Sequence, residues 1–571
     1  GAQNRYFNRA TDAKRQFGSI WKVLIYEAAL ELGWTLDEPL DNRLNAFPFE
    51  GSWYYPRPDH TPEPFVDMSE AGTKSENLAS VWLLYRLVDK LNARQLEHLA
   101  GRLELAPSSE ETHKEYLVRM RDSWGILDTK RQQGSIAFEW ARRQAQAELE
   151  LRLKSHDARE LASMHYGTGF EAQWRKIEAS RSLKAEEKLG RLSGLRRNFL
   201  YLHRQLPSCR ERYDFESRSL LEALTDRTEL ESSMKLLVRS RENGIELACS
   251  TRVWDGWSTL DEFEGPSFAT REIPFEEILV DGVISVGGLS LLESWVSRGF
   301  DWVEQKTPYT LERLVHHPDF RRLLAMLHVG KLAQSLGVAS ELKPILSMPL
   351  GATELTLSEA VVMYRGLITG DTMRVRGKIV ANDEGWEPSD APSAESFYTL
   401  IDEIRDSTGR VLYQTTMEDY SVVDSETRGN VLAILRSVVD NGTGRRVSAI
   451  KTDDGVTWPL AGKTGTSNSY RNATFLGAVP VWREGQWSLK DSWIVGSYVG
   501  YDNNKPMKRG GMRISGANGA LPIWKIGVEG IITSGSVGRP NQGDEAWIPP
   551  GFERVVYGDS EADESPRYRL M

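Results

Sequence analysis

The sequence predicts a mixed α/β (α+β) fold: an antiparallel sheet flanked by helices, with a helical subdomain and a large, mainly helical insertion. The first observation is Ile20–Leu30, which lacks Gly and Pro and has apolar side chains on every face, as buried helices do. The second is three strand-like runs joined by short polar loops, which predict an antiparallel meander: Trp458–Thr466, Ala473–Val481 and Ser492–Tyr501. The third is 3.6-residue apolar periodicity across residues 107–307, which predicts helices.

Length, composition and charge limit the classes of protein to be considered. At 571 residues the chain is long enough for two or more domains. Its composition, 40% hydrophobic and 27% charged, is typical of a globular protein. A net charge of −10 argues against general nucleic-acid binding, so we expect no nucleic-acid partner. The longest apolar run, Ile278–Val296, contains Asp281 and Glu293 and therefore does not predict a membrane span.

The first chemical motif is formed by Ser19 and Lys22 at the start of the predicted buried helix. Residues three apart lie on one helical face, and burial should lower the pKa of a lysine toward a value useful in a base. Ser19 is at the helix start, where free N–H groups favour a developing oxyanion. Two further Ser-x-x-Lys matches begin at Ser232 and Ser340 in polar contexts, so one match alone is weak.

The second motif is Ser75-Glu76-Asn77, which opens a second helical pattern. Ser75 and Asn77 can both point into one cleft from a helix or loop edge. Helix capping suits the same two residue types and would explain them without any chemistry. This motif therefore indicates a functional site only in combination with the other motifs.

The third motif is Lys463-Thr464-Gly465-Thr466, at the end of Trp458–Thr466, the first predicted strand of the meander. Lys463 offers a cation, and Thr464 and Thr466 offer hydroxyls, for a substrate carboxylate. Gly465 leaves room for the substrate against the backbone. The N–H of Thr466 could complete an oxyanion hole with that of Ser19. Alone, the four residues would fit a β-turn equally well.

Taken in order, the three motifs form the signature shared by penicillin-binding proteins and serine β-lactamases. Their surroundings resemble the transpeptidase domain of class A (bifunctional) penicillin-binding proteins over about residues 1–105 and 308–530. The stretches that carry the resemblance are Asn8–Ala10, Arg15–Gln16, Gly18–Ser19, Leu350–Ala352, Leu355–Thr356, Ala461–Thr466, Phe475–Gly477, Val499–Asp502, Ser515–Ala517 and Pro522–Trp524.

The resemblance implies a D,D-transpeptidase that cross-links peptidoglycan stem peptides ending in D-Ala-D-Ala and that is inhibited by β-lactams. Ser19 would be the nucleophile, Lys22 its base and Ser75 a proton relay, with Asn77 holding the substrate amide. Lys463, Thr464 and Thr466 would bind the terminal carboxylate, and Gly465 would leave room for the substrate. No cofactor and no metal is implied.

The same resemblance implies a location at the outer face of the bacterial inner membrane, in the periplasm. No signal peptide is visible and the chain starts with Gly1 rather than Met, so we expect a piece of a longer polypeptide with its membrane anchor upstream. Nearby alternatives are a D,D-carboxypeptidase or a β-lactamase-like hydrolase. An alternative of another class is a non-catalytic penicillin-binding scaffold.

Several features depart from the family pattern. The nucleophile motif has bulky Trp21 beside the serine, and the second motif carries Glu76, an acid in a cleft expected to be basic. The upstream glycosyltransferase domain of class A members is not in the chain. The predicted organisation is a transpeptidase N-terminal part, an insertion, a transpeptidase C-terminal part and a loop-rich acidic tail, with the ranges 1–106, 107–307, 308–535 and 536–571.

The insertion is predicted to contribute no catalytic group. Its apolar residues recur at helical spacing, including the stretch Leu220–Leu237, and its charged outer faces suit either solvent or a protein partner in the cell envelope. It has no metal-ligand spacing, and the His316-His317 pair just beyond it fits a helix surface better than a ligand set. Cys209 and Cys249 fit either a disulfide or two free thiols.

Overall fold

A computed structural model describes residues 7–221, 233–241, 244–263, 274–379, 401–452, 454–541, 548–549, 552–557 and 565–570. The chain forms two compact units. The first unit comprises residues 1–43, 57–91 and 323–571, and the second unit comprises residues 44–56 and 92–322. All three motifs lie in the first unit, and residues 107–307 lie in the second. The domain boundaries proposed from the sequence remain a prediction.

Helices and strands alternate along the chain. The helices are α1 Trp21–Glu31, α2 Met68–Lys74, α3 Asn77–Arg86, α4 Ala93–Arg102, α5 His113–Val118, α6 Gln133–Leu151, α7 Ser155–Ser163, α8 Phe170–Ala179, α9 Ala185–Leu195, α10 Phe199–Leu221, α11 Val286–Gln305, α12 Leu311–Leu314, α13 Pro318–Ser335, α14 Leu357–Thr369, α15 Ser425–Asp440 and α16 Leu521–Ser534.

The strands are mostly short outside the predicted meander. They are β1 Arg15–Gln16, β2 Pro39–Asp41, β3 Phe47–Phe49, β4 Ser52–Tyr54, β5 Phe65–Asp67, β6 Lys235–Arg241, β7 Gly244–Ser250, β8 Ser258–Thr259, β9 Leu279–Val280, β10 Ile284–Ser285, β11 Glu354–Leu355, β12 Asp371–Ile379, β13 Glu403–Arg405, β14 Val411–Ser421, β15 Ala461–Thr466, β16 Asn472–Arg483, β17 Gln486–Gly500, β18 Lys508–Arg509, β19 Met512–Arg513, β20 Phe552–Tyr557 and β21 Ser565–Leu570.

The buried helix predicted from the sequence is α1. It follows a single 3-10 turn over Gly18–Ile20, and all its residues from Trp21 to Leu30 are buried. Within the first unit it packs against α2, α3 and α15. A helix that is apolar on every face can be packed on all sides without burying many polar groups. Helix α1 therefore places the first motif in the core.

The predicted meander is confirmed as the antiparallel sheet β15-β16-β17. Helix α15 packs on β15, and α14 and α16 pack on β17. The core around this sheet contains large buried side chains, among them Trp458, Phe475 and Trp524. The antiparallel sheet flanked by helices confirms the predicted fold class.

The second unit is mainly helical and also contains a sheet. Helix α11 packs along α6, and five short strands pair in the order β10-β9-β7-β6-β8. A disulfide between Cys209 and Cys249, whose Cα atoms are 5.5 Å apart, joins α10 to β7. The predicted helix over Leu220–Leu237 was wrong at its end, because β6 begins at Lys235 and pairs with β7; residues 222–232 lie outside the described residues.

Two smaller expectations are corrected by the packing. His317 is fully buried rather than on a helix surface, and it accepts a hydrogen bond from the N–H of Asp319. Within the predicted tail, β20 and β21 pair as an antiparallel ladder. Among the described residues, no group of side chains could hold a metal ion, and no helix is long and apolar enough to cross a membrane.

Candidate active site

The turn that carries Ser19 packs backbone to backbone against the end of β15. Gly18 has a φ of +65°, and a Cβ placed on it would collide with the main chain of Thr466. A Cβ on Gly351 would in turn collide with Gly18, and one on Gly465 with the carbonyl oxygen of Phe17. Because only glycine allows this approach, these residues let the main chain of Gly18, directly before Ser19, lie against that of Thr466.

Lys22 is fully buried one turn further along α1. Its Nζ donates hydrogen bonds to the carbonyl oxygen of Ser75 and, at 2.8 Å, to Oδ1 of Asn77, and it lies 3.2 Å from Oγ of Ser75. Among the described residues, no hydrogen bond joins it to the hydroxyl of Ser19. The first and second motifs are therefore connected through Lys22.

Burial lowers the pKa of Lys22 to about 7, because the ammonium form loses its hydration. The negative charges of Asp59 and Glu76 oppose that effect and raise the pKa in part. A lysine with a pKa near neutrality is substantially unprotonated at pH 7. It can then accept a proton without first having to lose one.

Ser75 lies in a left-handed conformation, with φ of 63°, between the end of α2 and the start of α3. Its Oγ accepts a 2.7 Å hydrogen bond from Nζ of Lys463 and faces Lys22 on the other side. Asn77 does not cap a helix with its side chain: Nδ2 donates to the carbonyl oxygen of Arg57, and Oδ1 accepts from Lys22. The side-chain hydrogen bonds of Ser75 and Asn77 are therefore with Lys463, Lys22 and Arg57 rather than with a helix end.

The third motif supplies Lys463, which is fully buried on β15. Its pKa is held well below the ordinary lysine value, first by burial and then by the charge of Lys22, while Asp59 raises it. The hydroxyl of Thr464 pairs with that of Thr443 at 2.6 Å, and Oγ1 of Thr466 accepts from the N–H of Gly516 at 3.0 Å. The strand thus presents one buried lysine amine and two positioned threonines.

The structure therefore brings Lys22, Ser75, Asn77 and Lys463 into one hydrogen-bonded network. The turn that carries Ser19 packs against β15, the strand that carries Lys463. The other Ser-x-x-Lys matches do not resemble it. Ser340 hydrogen-bonds to the carboxylate of Glu359, and Ser232 lies outside the described residues.

Sequence reasoning missed three residues at this site: Asp59, His60 and Thr443. Asp59 acts electrostatically on both lysines, His60 pairs with Glu76 at 2.8 Å, and Thr443 orients Thr464. Asp59 and His60 lie in a proline-rich loop that has no motif of its own. For Thr443, the Gly442-Thr443-Gly444 turn after α15 was the one available signal.

No known family model matches this chain. Penicillin-binding protein 1A of Rickettsia prowazekii (strain Madrid E) is 25% identical over 266 residues, 43% of this chain and 30% of that protein. Penicillin-binding protein 1A of Aquifex aeolicus (strain VF5) is 28% identical over 237 residues, 41% and 27% of the two chains. The chain thus spans less than a third of the length of these curated relatives.

Two solved structures align over most of the chain. Penicillin-binding protein 1A from Haemophilus influenzae aligns with a TM-score of 0.39 and 12% identity, over 99% of this chain and 49% of that one. Penicillin-binding protein A from M. tuberculosis, in its imipenem acyl-enzyme complex, aligns with a TM-score of 0.34 and 12% identity, over 93% and 64%. At these TM-scores the alignments support no conclusion about the site.

Proposed function

We propose that this chain is a transpeptidase domain of the class A penicillin-binding proteins, a peptidoglycan D,D-transpeptidase that acts through a serine acyl-enzyme; its similarity to penicillin-binding proteins 1A supports the proposal. The single observation that carries the proposal is the placement of Ser75 Oγ between the nitrogens of Lys22 and Lys463. A proton can pass between a base and a leaving group only through groups that are in contact, and this hydroxyl provides such a path.

In the first step, neutral Lys22 takes the proton of Ser19 as Oγ attacks the carbonyl carbon of the penultimate D-Ala. Ser19 is one helical turn from Lys22, and a pKa of about 7 leaves much of the lysine free to accept that proton. The carbonyl oxygen becomes an oxyanion, which the N–H groups of Ser19 and Thr466 would stabilise.

In the second step, the tetrahedral intermediate collapses and the C–N bond to the terminal D-Ala breaks. The leaving nitrogen takes a proton from the hydroxyl of Ser75, which takes one from the ammonium of Lys22 at 3.2 Å. The products are free D-Ala and an ester on Ser19. Attack on this ester by the amine of a neighbouring stem peptide forms the cross-link and frees Ser19.

Substrate recognition is assigned to the third motif and to Asn77. A substrate carboxylate beside Lys463, Thr464 and Thr466 would restore the positive charge of the buried lysine, because an opposite charge favours its ionised form. β-Lactams, which mimic the D-Ala-D-Ala end, would acylate the same serine. Because this chemistry takes place on peptidoglycan, we place the protein on the periplasmic side of the inner membrane.

The test is acylation by a labelled penicillin, followed by peptide mass spectrometry. We expect one adduct, on the peptide that contains Ser19, and none in Ser19→Ala. Ser534, an exposed helix-end residue, provides the control variant Ser534→Ala, which should acylate normally. An adduct that maps to Ser340 or any other serine would overturn the assignment.

A second measurement separates transpeptidation from hydrolysis, which use the same acyl-enzyme. A stem pentapeptide is incubated with and without an acceptor amine, and the products are separated by chromatography. Cross-linked dimer as the main product supports the transpeptidase. Tetrapeptide alone, at saturating acceptor, would favour the carboxypeptidase.

A further inference from the structure

The loop segment 57–63 is tied at three points to the residues that surround Ser75. The carbonyl oxygen of Arg57 accepts from Nδ2 of Asn77 at 3.0 Å, His60 Nε2 lies 2.8 Å from Glu76 Oε1, and Glu63 Oε1 accepts from Lys74 at 3.0 Å. The three partners therefore lie immediately before and after the serine of the second motif. The 57–63 segment runs beside that motif along its whole length.

These ties differ in strength. The side chains of Lys74 and Glu63 are 42% and 62% exposed, and exposed ion pairs are worth about 0–1 kcal/mol. The Glu76 side chain is only 4% exposed, while that of His60 is 50% exposed. A buried carboxylate is costly without a partner, so the contact between Glu76 and His60 should be stronger than the exposed ion pair between Lys74 and Glu63.

The residue that this tie positions is Asp59, directly before His60. Asp59 is exposed, yet its charge acts on both Lys22 and Lys463. Pro58 and Pro62 fix two of the φ angles in the segment, so a shift of His60 should carry Asp59 with it. Glu76, the acid that departs from the expected motif, thus has a defined contact at the edge of the site.

We propose that Glu76 is a positioning residue, which holds the 57–63 segment through His60 and thereby keeps the carboxylate of Asp59 where its charge acts on the two buried lysines. The proposal rests on the proposed function only in so far as Lys22 is the base. In this role, the acidic residue between Ser75 and Asn77 sets the pH range in which the serine is acylated.

The sign of the effect follows from the charges that act on Lys22. The charges of Asp59 and Glu76 raise the pKa of Lys22. The charges of Lys22 and Lys463, which both lie near the hydroxyl of Ser75, repel each other. If Asp59 moves away, the pKa of Lys22 falls and acylation extends to lower pH. If Asp59 does not move, removal of His60 should not lower the pKa of Lys22.

The experiment compares Asp59→Asn, His60→Ala and the double variant with the unchanged protein, and uses His60→Gln as the conservative variant that can still donate to Glu76. Glu529→Gln, which removes an exposed carboxylate on α16, is the control. The rate of penicillin acylation is measured from pH 5 to 9. In parallel, NMR with 13Cε-labelled lysine follows the titration of Lys22, assigned with Lys22→Arg.

We expect His60→Ala to lower the midpoint of the pH–acylation profile and that of the Lys22 NMR titration by about half a pH unit. Asp59→Asn should lower them equally, and the double variant should lower them no further. His60→Gln should restore most of the shift, and Glu529→Gln should show none. An upward shift in His60→Ala, no shift, or fully additive shifts in the double variant would overturn the proposal. If Ser19 is not acylated at all, the proposed function fails, and the NMR titration still decides whether Glu76 and His60 position Asp59.

Discussion

Lys463 donates a 2.7 Å hydrogen bond to the hydroxyl of Ser75, although 388 residues separate the two in the chain. The same hydroxyl lies 3.2 Å from Nζ of Lys22. Burial lowers the pKa values of both lysines, and the charge of Lys22 lowers that of Lys463 further. The free protein therefore holds a proton-accepting lysine, and arrival of a substrate carboxylate would favour the charged form of Lys463.

Lys22→Arg should lower the rate of penicillin acylation by about 10²–10⁴-fold, because the guanidinium keeps its charge and cannot act as a base. In the unchanged protein the rate should rise with pH through about 7, where Lys22 loses its proton. Stopped-flow or quenched-flow kinetics from pH 5 to 9 measure both effects. Lys525→Arg, at an exposed position of α16, is the matched control and should acylate normally. Normal acylation by Lys22→Arg would refute its role as the base.

Gly18→Ala should impair the site far more than a similar change elsewhere. Its Cβ would collide with the Thr466 main chain, and overpacking of this kind costs about 1–3 kcal/mol in addition to the left-handed backbone. Gly33 also has a positive φ, of +90°, but no atom lies within 4 Å of its Cβ position, so Gly33→Ala is the matched control. Calorimetry and acylation rates should show a larger loss of both stability and rate for Gly18→Ala. Equal losses in the two variants would mean that the contact with Thr466 is unimportant.

Glu27→Gln should make the stability of the first unit less dependent on pH. Glu27 is fully buried on α1, and neither carboxylate oxygen has a hydrogen-bond partner among the residues described. Burial raises its pKa well above the ordinary value, and the charges of Glu31 and Asp424 raise it further. The folded state therefore keeps a proton that the unfolded state releases above about pH 4.5, so this group destabilises the fold as pH rises.

Removal of the carboxyl should accordingly raise Tm at pH 8 by about 2 °C or more and change it least near pH 4. Differential scanning calorimetry at several pH values measures this, with Glu529→Gln as an exposed control. A Glu27→Gln protein that is less stable than the unchanged protein at pH 8 would contradict the assignment of a neutral buried carboxyl.

Replacing Cys209 and Cys249 with Ala should loosen the second unit and leave Ser19 chemistry intact. The disulfide closes a separation of 40 residues, and loss of such a link typically costs about 2–4 kcal/mol. Hydrogen exchange should rise in α10 and β7, while the acylation rate stays unchanged. A folded double variant that has lost acylation would show that the insertion builds the active site, contrary to the prediction from its sequence.

Local patterns in the sequence correctly predicted helix α1 and the sheet β15-β16-β17. Helix α1 is apolar all round and buried, and the sheet β15-β16-β17 was recognisable from its turns and lengths. Strand β6 was missed because both of its faces are covered: Leu236 and Val238 pack in one cluster and Leu237 in another. A strand buried on both faces lacks the two-residue alternation that distinguishes it from a helix.

At the candidate site, the sequence by itself determined which chemical groups are present and their local setting: a serine and a lysine on one buried helix, a serine and an asparagine at a loop, and a lysine on a strand. The tertiary structure decided which of these groups touch. It directs Lys22 to Ser75 and Asn77, pairs Cys209 with Cys249, and ties Glu76 to His60. Those contacts and the lowered pKa values depend on chain segments far apart in sequence, because desolvation and charge interactions act through space.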